Sequence, residues 1–275
     1  MVDTDLECTE RREKNSMKLQ LLVAAMHTDA LTLAENMQID SDAIIVSQGE
    51  FYAFEEIEYK GHHIKYFATA ERGVGLSRNT SLLRADGDIC LFADEDIVYE
   101  KGYAGIVTEE FEKHPEADML VFNVQAAEGR ETYHTDTFGR VRWYNCGRYP
   151  TYSFAARTER LHKKNITFSL LFGGGAKYCN GEDSLFIAEC IKKGLNVYKV
   201  PVLIGRENGR ESTWFKGFDR KFFFDRGVLY SHLYGRLAEI MAFRFVYTKR
   251  SRMCKEISWK EAYKIVCEGI KEGRQ

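Results

Sequence analysis

Residues 91–96, Leu-Phe-Ala-Asp-Glu-Asp, end an apolar run in three carboxylates, Asp94, Glu95 and Asp96. In an open parallel sheet, ligands bind outside the carboxyl ends of the strands. Three acids there repel one another unless a hard cation such as Mn2+ or Mg2+ is shared, because carboxylate oxygen is its preferred ligand. The plainer alternative is a strand that runs into a solvated acidic turn. Just upstream, residues 71–79 read Glu-Arg-Gly-Val-Gly-Leu-Ser-Arg-Asn, a glycine-rich bend opening into a helix with Arg72, Arg78 and Asn79 around its start. Free N–H groups at a helix start attract phosphate, and arginine adds a forked donor. The spacing is neither a Walker loop nor a dinucleotide fingerprint, so an ordinary helix start also fits. Farther on, Phe172-Gly173-Gly174-Gly175 precedes Gly181-Glu182-Asp183. Glycines let backbone approach a ligand closely, and acids suit the first turn of a helix by dipole alone. In a functional reading Asp183 is a general base and Glu182 accepts a hydrogen bond from a substrate hydroxyl.

The elements that position these groups follow from apolar patterning. Residues 19–25 and 43–46 are short buried-strand runs with a helix-compatible stretch, 30–37, between them, the opening of a parallel α/β sheet. Residues 51–67 read as a hairpin turning at Gly61. The pattern then predicts a helix over 75–85, a strand over 88–93, a helix over 99–114 stopping at Pro115, and a strand over 118–124. Residues 125–165 are rich in aromatics and arginine and carry no clear period. A helix over 182–193 and a strand over 196–203, broken at Pro201, complete the sheet, and 222–247 reads as one long helix.

Composition narrows the class. The chain has 275 residues, 44% apolar and 29% charged, with three prolines, a soluble globular make-up without repeats. No apolar run approaches the length of a membrane span. Seven scattered cysteines without a CxxC pair, and no apolar leader, point to reduced thiols in a cytosol. The net charge of −2 divides unevenly: residues 201–275 hold 16 Lys/Arg against 9 Asp/Glu, leaving −9 for the remainder. That basic end faces an anion or merely balances the acidic body.

Taken in order, ERGVGLSRN, GDICLFADED, GGG and GEDSLF resemble a family 2 glycosyltransferase of the GT-A fold, of the bacterial polysaccharide-building type. The resemblance covers roughly residues 19–217, with Asp96 and Glu182 86 positions apart. The stretch Ser212-Thr213-Trp214-Phe215-Lys216-Gly217, with Asp225-Arg226-Gly227 behind it, is similar to those members too. It implies a Rossmann-like, mostly parallel sheet flanked by helices: a leader over 1–16 read as disordered, a GT-A domain over 17–218, and a helical extension over 219–275 packed on it. It implies transfer of a sugar from a nucleotide-diphosphate sugar, a UDP-sugar first, to a hydroxyl of a glycan or lipid-linked acceptor, with inversion, in cell-surface polysaccharide synthesis. On this pattern Gln48, Arg72, Arg78, Asn79, Asp94 and Glu95 bind the donor, and Asp94 and Asp96 hold Mn2+ or Mg2+. Gly174, Glu182 and Trp214 face the acceptor, and Asp183 is the base. Nucleic acid is not an implied partner.

Three positions depart from the family pattern. The first strand runs into Met26-His27-Thr28-Asp29 rather than a Pro-x-Tyr-Asn-like turn. The second ends in Ser47-Gln48-Gly49 rather than an acid. The histidine that many members use as a further metal ligand has no counterpart, since none lies between His162 and His232. Gly205-Arg206-Glu207 stands in its place, and Arg206 could offset phosphate charge instead. His62 and His63 read as surface residues, because neighbours on a strand point opposite ways. His134 lies near Asp136 with no spacing that favours a role.

The tail repeats Leu229, Tyr230, Leu233, Leu237, Ile240, Met241 and Phe245 at helical spacing before a basic cluster. It packs on the sheet or, alternatively, lies in an anionic membrane interface, placing the protein in the cytoplasm or peripherally on the inner face of the plasma membrane. Two other functions compete. Asp94-Glu95-Asp96-Ile97-Val98 also fits a haloacid-dehalogenase-type Mg-dependent phosphatase, in which Asp94 is the nucleophile. A non-catalytic carbohydrate-binding module would tolerate loss of Asp183.

Overall fold

The computed structural model describes residues 17–127, 133–209 and 217–275. Trp214 and its neighbours in 212–216 lie outside the described residues, as does the expected leader over 1–16. Ten strands form one sheet in the order β3 (Ala53–Tyr59), β4 (His62–Thr69), β2 (Asp42–Gln48), β1 (Leu19–Met26), β5 (Ile89–Asp94), β9 (Phe154–Arg157), β7 (Met119–Gln125), β10 (Val197–Glu207), β6 (Ile97–Tyr99), with β8 (Gly139–Arg140) paired to β10. Strands β1 (Leu19–Met26), β2 (Asp42–Gln48), β4 (His62–Thr69) and β5 (Ile89–Asp94) run parallel, so their carboxyl ends share one edge. β7 (Met119–Gln125) and β10 (Val197–Glu207) are parallel to each other. Antiparallel β9 (Phe154–Arg157) joins β5 to β7. The fold is thus mixed α/β with a mostly parallel sheet, as the patterning implied.

Period-2 alternation sends the strand side chains to two cores. Leu21 and Val23 of β1 join Leu33 and Met37 of α1 (Ala30–Met37) and Val107 and Phe111 of α3 (Tyr103–Lys113) on one face. Leu22 of β1 and Phe92 of β5 meet Leu82 of α2 (Val74–Leu82), Leu161 of α4 (Thr158–Lys163) and Phe186 of α5 (Glu182–Lys192) on the other. The Asp29 carboxylate caps α1 by accepting from Thr32 N–H at 2.9 Å. The β3 (Ala53–Tyr59) to β4 hairpin turns at Lys60-Gly61, both with positive φ, the geometry a two-residue hairpin loop requires.

Four details differ from the sequence reading. Residues 97–99 form a short strand, β6 (Ile97–Tyr99), so the third helix starts later, at Tyr103. The break expected at Pro201 is a register shift of β10 against β7 between Lys199 and Leu203, which accommodates the missing donor, and the strand then runs on to Glu207 rather than stopping at 203. The long tail helix is two, α6 (Arg220–Tyr234) and α7 (Ala238–Met253), divided at Gly235 (φ 51°), and α8 (Trp259–Glu272) follows behind a Ser258-x-x-Glu261 cap. These three helices share a third core with Phe172 and Tyr178 of the glycine-rich segment.

Candidate active site

The carboxyl ends of β1, β2 and β4 enclose a cavity of about 310 Å³ lined by His27, Thr28, Asp29, Ser47, Gly49, Glu50, Phe51, Tyr66 and Ala68. Its size falls in the range of small-ligand sites. Phe51 stands exposed at the lip, and the buried Tyr66 donates its hydroxyl to Thr28 C=O at 2.8 Å. Asp94 ends β5 on the same edge, in register with Ala24 of β1. A larger hollow of about 640 Å³ lies at the opposite end of the strands, beside Met17, Asp88 and Arg157, and contains none of the predicted site residues.

Arg78 brings the two acidic motifs together. It is 3% exposed, and its Nη2 donates to Asp94 Oδ1 at 2.7 Å while Nη1 donates to Glu182 Oε1 at 3.0 Å. Its guanidinium also lies over the Phe168 ring. Burial works against the charge on Arg78, but the two carboxylates outweigh it and hold its pKa above the ordinary value. Residues 94 and 182, distant in sequence, thus share one cation.

Several of the other expected donor-binding groups serve the scaffold. Gln48 Oε1 accepts from Gly73 N–H at 2.7 Å and ties the end of β2 to the bend before α2. The Asn79 amide donates to Phe168 C=O and accepts from Phe168 N–H, at 2.9 and 2.7 Å. Glu95 Oε2 accepts from Met26 N–H at 3.1 Å and fixes the turn after β1. Arg72 is exposed on the bend, and the Asp96 carbonyl accepts from Asn208 N–H. Arg206 pairs with Glu100 at 3.6 Å on an exposed face, and His62, His63 and His134 pair with nearby acids.

The glycines allow close approach of backbone within the protein itself. A Cβ at Gly75 would sit 2.5 Å from Ser169 O, and one at Gly173 (φ 102°) would sit 2.7 Å from Val74 Cγ1 and 2.9 Å from Glu182 Cδ. Gly174 C=O accepts from Val74 N–H. These residues let two backbone segments close on each other and on Glu182.

Asp183 sits in the first turn of α5, half-buried, with Oδ1 accepting from Ser184 N–H at 2.6 Å and from the Ser184 hydroxyl at 3.1 Å. Burial foremost, then the charge of Glu182, pushes its pKa up to about 6, against the Ser184 hydrogen bonds and the charge of Arg226. Such a carboxylate is poised to take a proton near neutrality. Glu182 is less available to a substrate than the sequence suggested. Its Oε1 is held by Arg78 and its Oε2 by Gly181 N–H. Arg226 entered the sequence reading only through its Asp-Arg-Gly neighbourhood; it lies between the Phe222 and Phe245 rings, 5.3 Å from each centroid. Tyr66 was also missed, because the hairpin pattern did not tell that β4 continues the parallel sheet beside β2.

No three His, Cys, Asp or Glu side chains gather as a metal cage among the described residues. Mg2+ is commonly held by one or two carboxylates plus substrate phosphates. The two-carboxylate turn Asp94–Asp96 fits that mode, with Asp94 Oδ1 already shared with Arg78.

Residues 48–178 match the family model described as Glycosyl transferase family 2, just under half the chain. Among solved structures, that of S. aureus TarS 1-349 in complex with UDP-GlcNAc is similar, with 14% identity and a TM-score of 0.59. The match covers 87% of this chain and 74% of that one. The same TarS segment in complex with UDP gives 0.58 at the same identity and coverage, and whole TarS gives 0.57, with 44% of its length covered. No curated protein matches. The motifs, the sheet edge they meet on and these likenesses agree: over residues 48–178 the chain carries the signature of family 2 glycosyltransferases, set in a GT-A fold.

Proposed function

We propose that this protein moves a sugar from a nucleotide-diphosphate sugar, a UDP-sugar, to a hydroxyl of a glycan or lipid-linked acceptor, with inversion, in cell-surface polysaccharide synthesis. The observation that carries this reading is the Arg78 bridge, which sets Asp94 and Glu182, the residue before Asp183, on one guanidinium. The cavity at the ends of β1, β2 and β4 takes the nucleoside, with Phe51 and Tyr66 offering ring surface to the base. The UDP and UDP-GlcNAc bound in the TarS structures are the support for uridine. Asp94 and Asp96 would hold Mn2+ or Mg2+ together with the donor phosphates. When bound, the cation supplies Lewis-acid stabilisation of the departing diphosphate.

Asp183 takes the proton of the acceptor hydroxyl while the hydroxyl oxygen bonds to the anomeric carbon and the bond from that carbon to the nucleoside diphosphate breaks. Arg78 positions Asp94 and Glu182, and Glu182 raises the basicity of Asp183 by its adjacent charge. Exposed Trp143 and Tyr144 offer stacking surface to an acceptor sugar, with Trp143 6.3 Å from the Tyr234 ring. A lipid-linked acceptor would place the enzyme in the cytoplasm, at the inner face of the plasma membrane.

A thermal-shift panel of nucleoside diphosphates and nucleotide sugars, with and without Mn2+, tests the donor. A ligand that binds only the native state raises the melting point by mass action. UDP or a UDP-sugar is expected to raise it, and a flat panel would overturn the reading. Asp183→Asn is expected to keep that shift while turnover falls about a hundredfold or more.

A further inference from the structure

Helix α7 is inverted relative to an ordinary surface helix. Small Ala238 and Ala242, with Val246, face the bundle, while Ile240 is 66% exposed and Leu237, Phe243 and Tyr247 are each 45% exposed. Ile240, Phe243 and Tyr247 recur at intervals of three and four and form one stripe. Rings of α8 extend it: Phe243 lies 5.5 Å from Tyr263, and Tyr247 lies 5.7 Å from Trp259. Cations line the stripe, with Arg250 over the Tyr247 ring at 4.2 Å and Lys260 over the Trp259 ring. Residues 236–264 hold eight Lys/Arg against three Glu, a net of +5.

Bulky apolar groups cost free energy in water, so a face of this make-up has a use. Apposing a second copy across a two-fold axis would set +5 against +5. An anionic lipid surface satisfies both features: apolar and aromatic side chains enter the headgroup boundary, and the arginines and lysines meet the lipid charge. No helix among the described residues is long and apolar enough to cross a membrane. The inner sides of α6 and α7 connect to the residues around α5. Phe245 of α7 stacks on Arg226 of α6, and a Cβ at Gly181, the residue before α5, would strike the Leu229 side chain of α6.

We propose that the outer face of α7, with the α8 aromatics, docks this protein flat on an anionic lipid surface. The use of that docking, to present a lipid-anchored hydroxyl to Asp183, rests on the function proposed above; the docking itself does not. Co-sedimentation with vesicles tests it. The intact chain is expected to sediment with phosphatidylcholine vesicles containing about one-third phosphatidylglycerol, about tenfold more than with phosphatidylcholine alone, and to be released by salt. The triple variant I240S/F243S/Y247S and the charge reversal R244E/R250E are each expected to lose about tenfold in partition. Both variants should keep the wild-type melting point and its rise with UDP, which separates a docking defect from unfolding or from failure of the donor reading. Three results would overturn the proposal: wild-type protein left in the supernatant at low salt, the triple variant binding as wild type does, or a wild-type dimer that the triple variant turns into a monomer.

Discussion

Asp183 owes its protonation behaviour to where the chain puts it. A carboxyl taken partly out of water beside Glu182 holds its proton to about pH 6, although Ser184 and Arg226 favour the ion. We expect the rate with limiting substrate to fall on the acid side with a midpoint near that value. Arg226→Gln removes a cation whose Nε is buried without a hydrogen-bond partner among the described residues and which is held between two rings. The acid limb should then move to higher pH, with Arg226→Lys between the two. A limb that stays put in Arg226→Gln would mean that Arg226 only packs. Stability moves the other way. A carboxyl whose folded pKa is raised binds a proton more readily folded than unfolded, so its penalty is full above the folded pKa and vanishes below the unfolded one. Asp183→Asn should therefore stabilise the protein by about 1–3 kcal/mol at pH 7.5 and by nothing at pH 3.5, read as melting points. The residues themselves were legible because chemistry concentrates at strand ends and helix starts. Which of them touch substrate was not, since Gln48, Asn79 and Glu95 are as well suited to bonding backbone as to bonding a nucleotide.

At the scale of elements, periodicity carried far where one core decides a segment. The β1–α1–β2 opening, the hairpin turn at Gly61 and the helix from Glu182 all stand where the pattern put them. It failed where long-range pairing decides. Nothing local says that 154–157 runs antiparallel between β5 and β7, or that 97–99 pairs with the end of β10. The uninterrupted helical spacing of 222–247 also hid the break at Gly235, because helices on both sides of a bend keep the same period. The glycines separate the two kinds of information. Gly61 (φ 82°) needs only its backbone angle, with nothing within 4 Å of where a methyl would stand, so Gly61→Ala should cost about 1–2 kcal/mol and leave donor binding intact. Gly173 needs both the angle and the space, against Val74 and Glu182. Gly173→Ala should cost about 2–4 kcal/mol and weaken the melting-point rise with UDP, because it displaces the carboxylate that Arg78 holds. Equal losses in the two variants would show that the close approach at Gly173 does not matter.

For the molecule as a whole, the charge asymmetry and the third core concern the same helices. Residues 201–275 carry the basic excess, and α6–α8 bury their apolar sides on one another and on Phe172 and Tyr178, which belong to the stretch that shapes the site. Leu229 packs where a Cβ on Gly181 would be, at the head of the helix that carries Glu182 and Asp183. The extension therefore packs directly on the segments that carry Glu182 and Asp183. Cutting the chain after residue 218 would uncover Phe172 and Tyr178, each worth about 1.5–3 kcal/mol in buried apolar surface. It would also leave the glycine-rich segment without its backing. We expect the truncated chain to lose cooperative unfolding and its melting-point response to UDP together. Leu229→Ala, which keeps every helix, should cost about 2–5 kcal/mol as a cavity in this core and reduce turnover beyond what the lower stability explains at a temperature well below its melting point. A soluble 17–218 fragment that melts cooperatively and still responds to UDP would show instead that the sheet builds the site alone, leaving α6–α8 only the lipid-facing task.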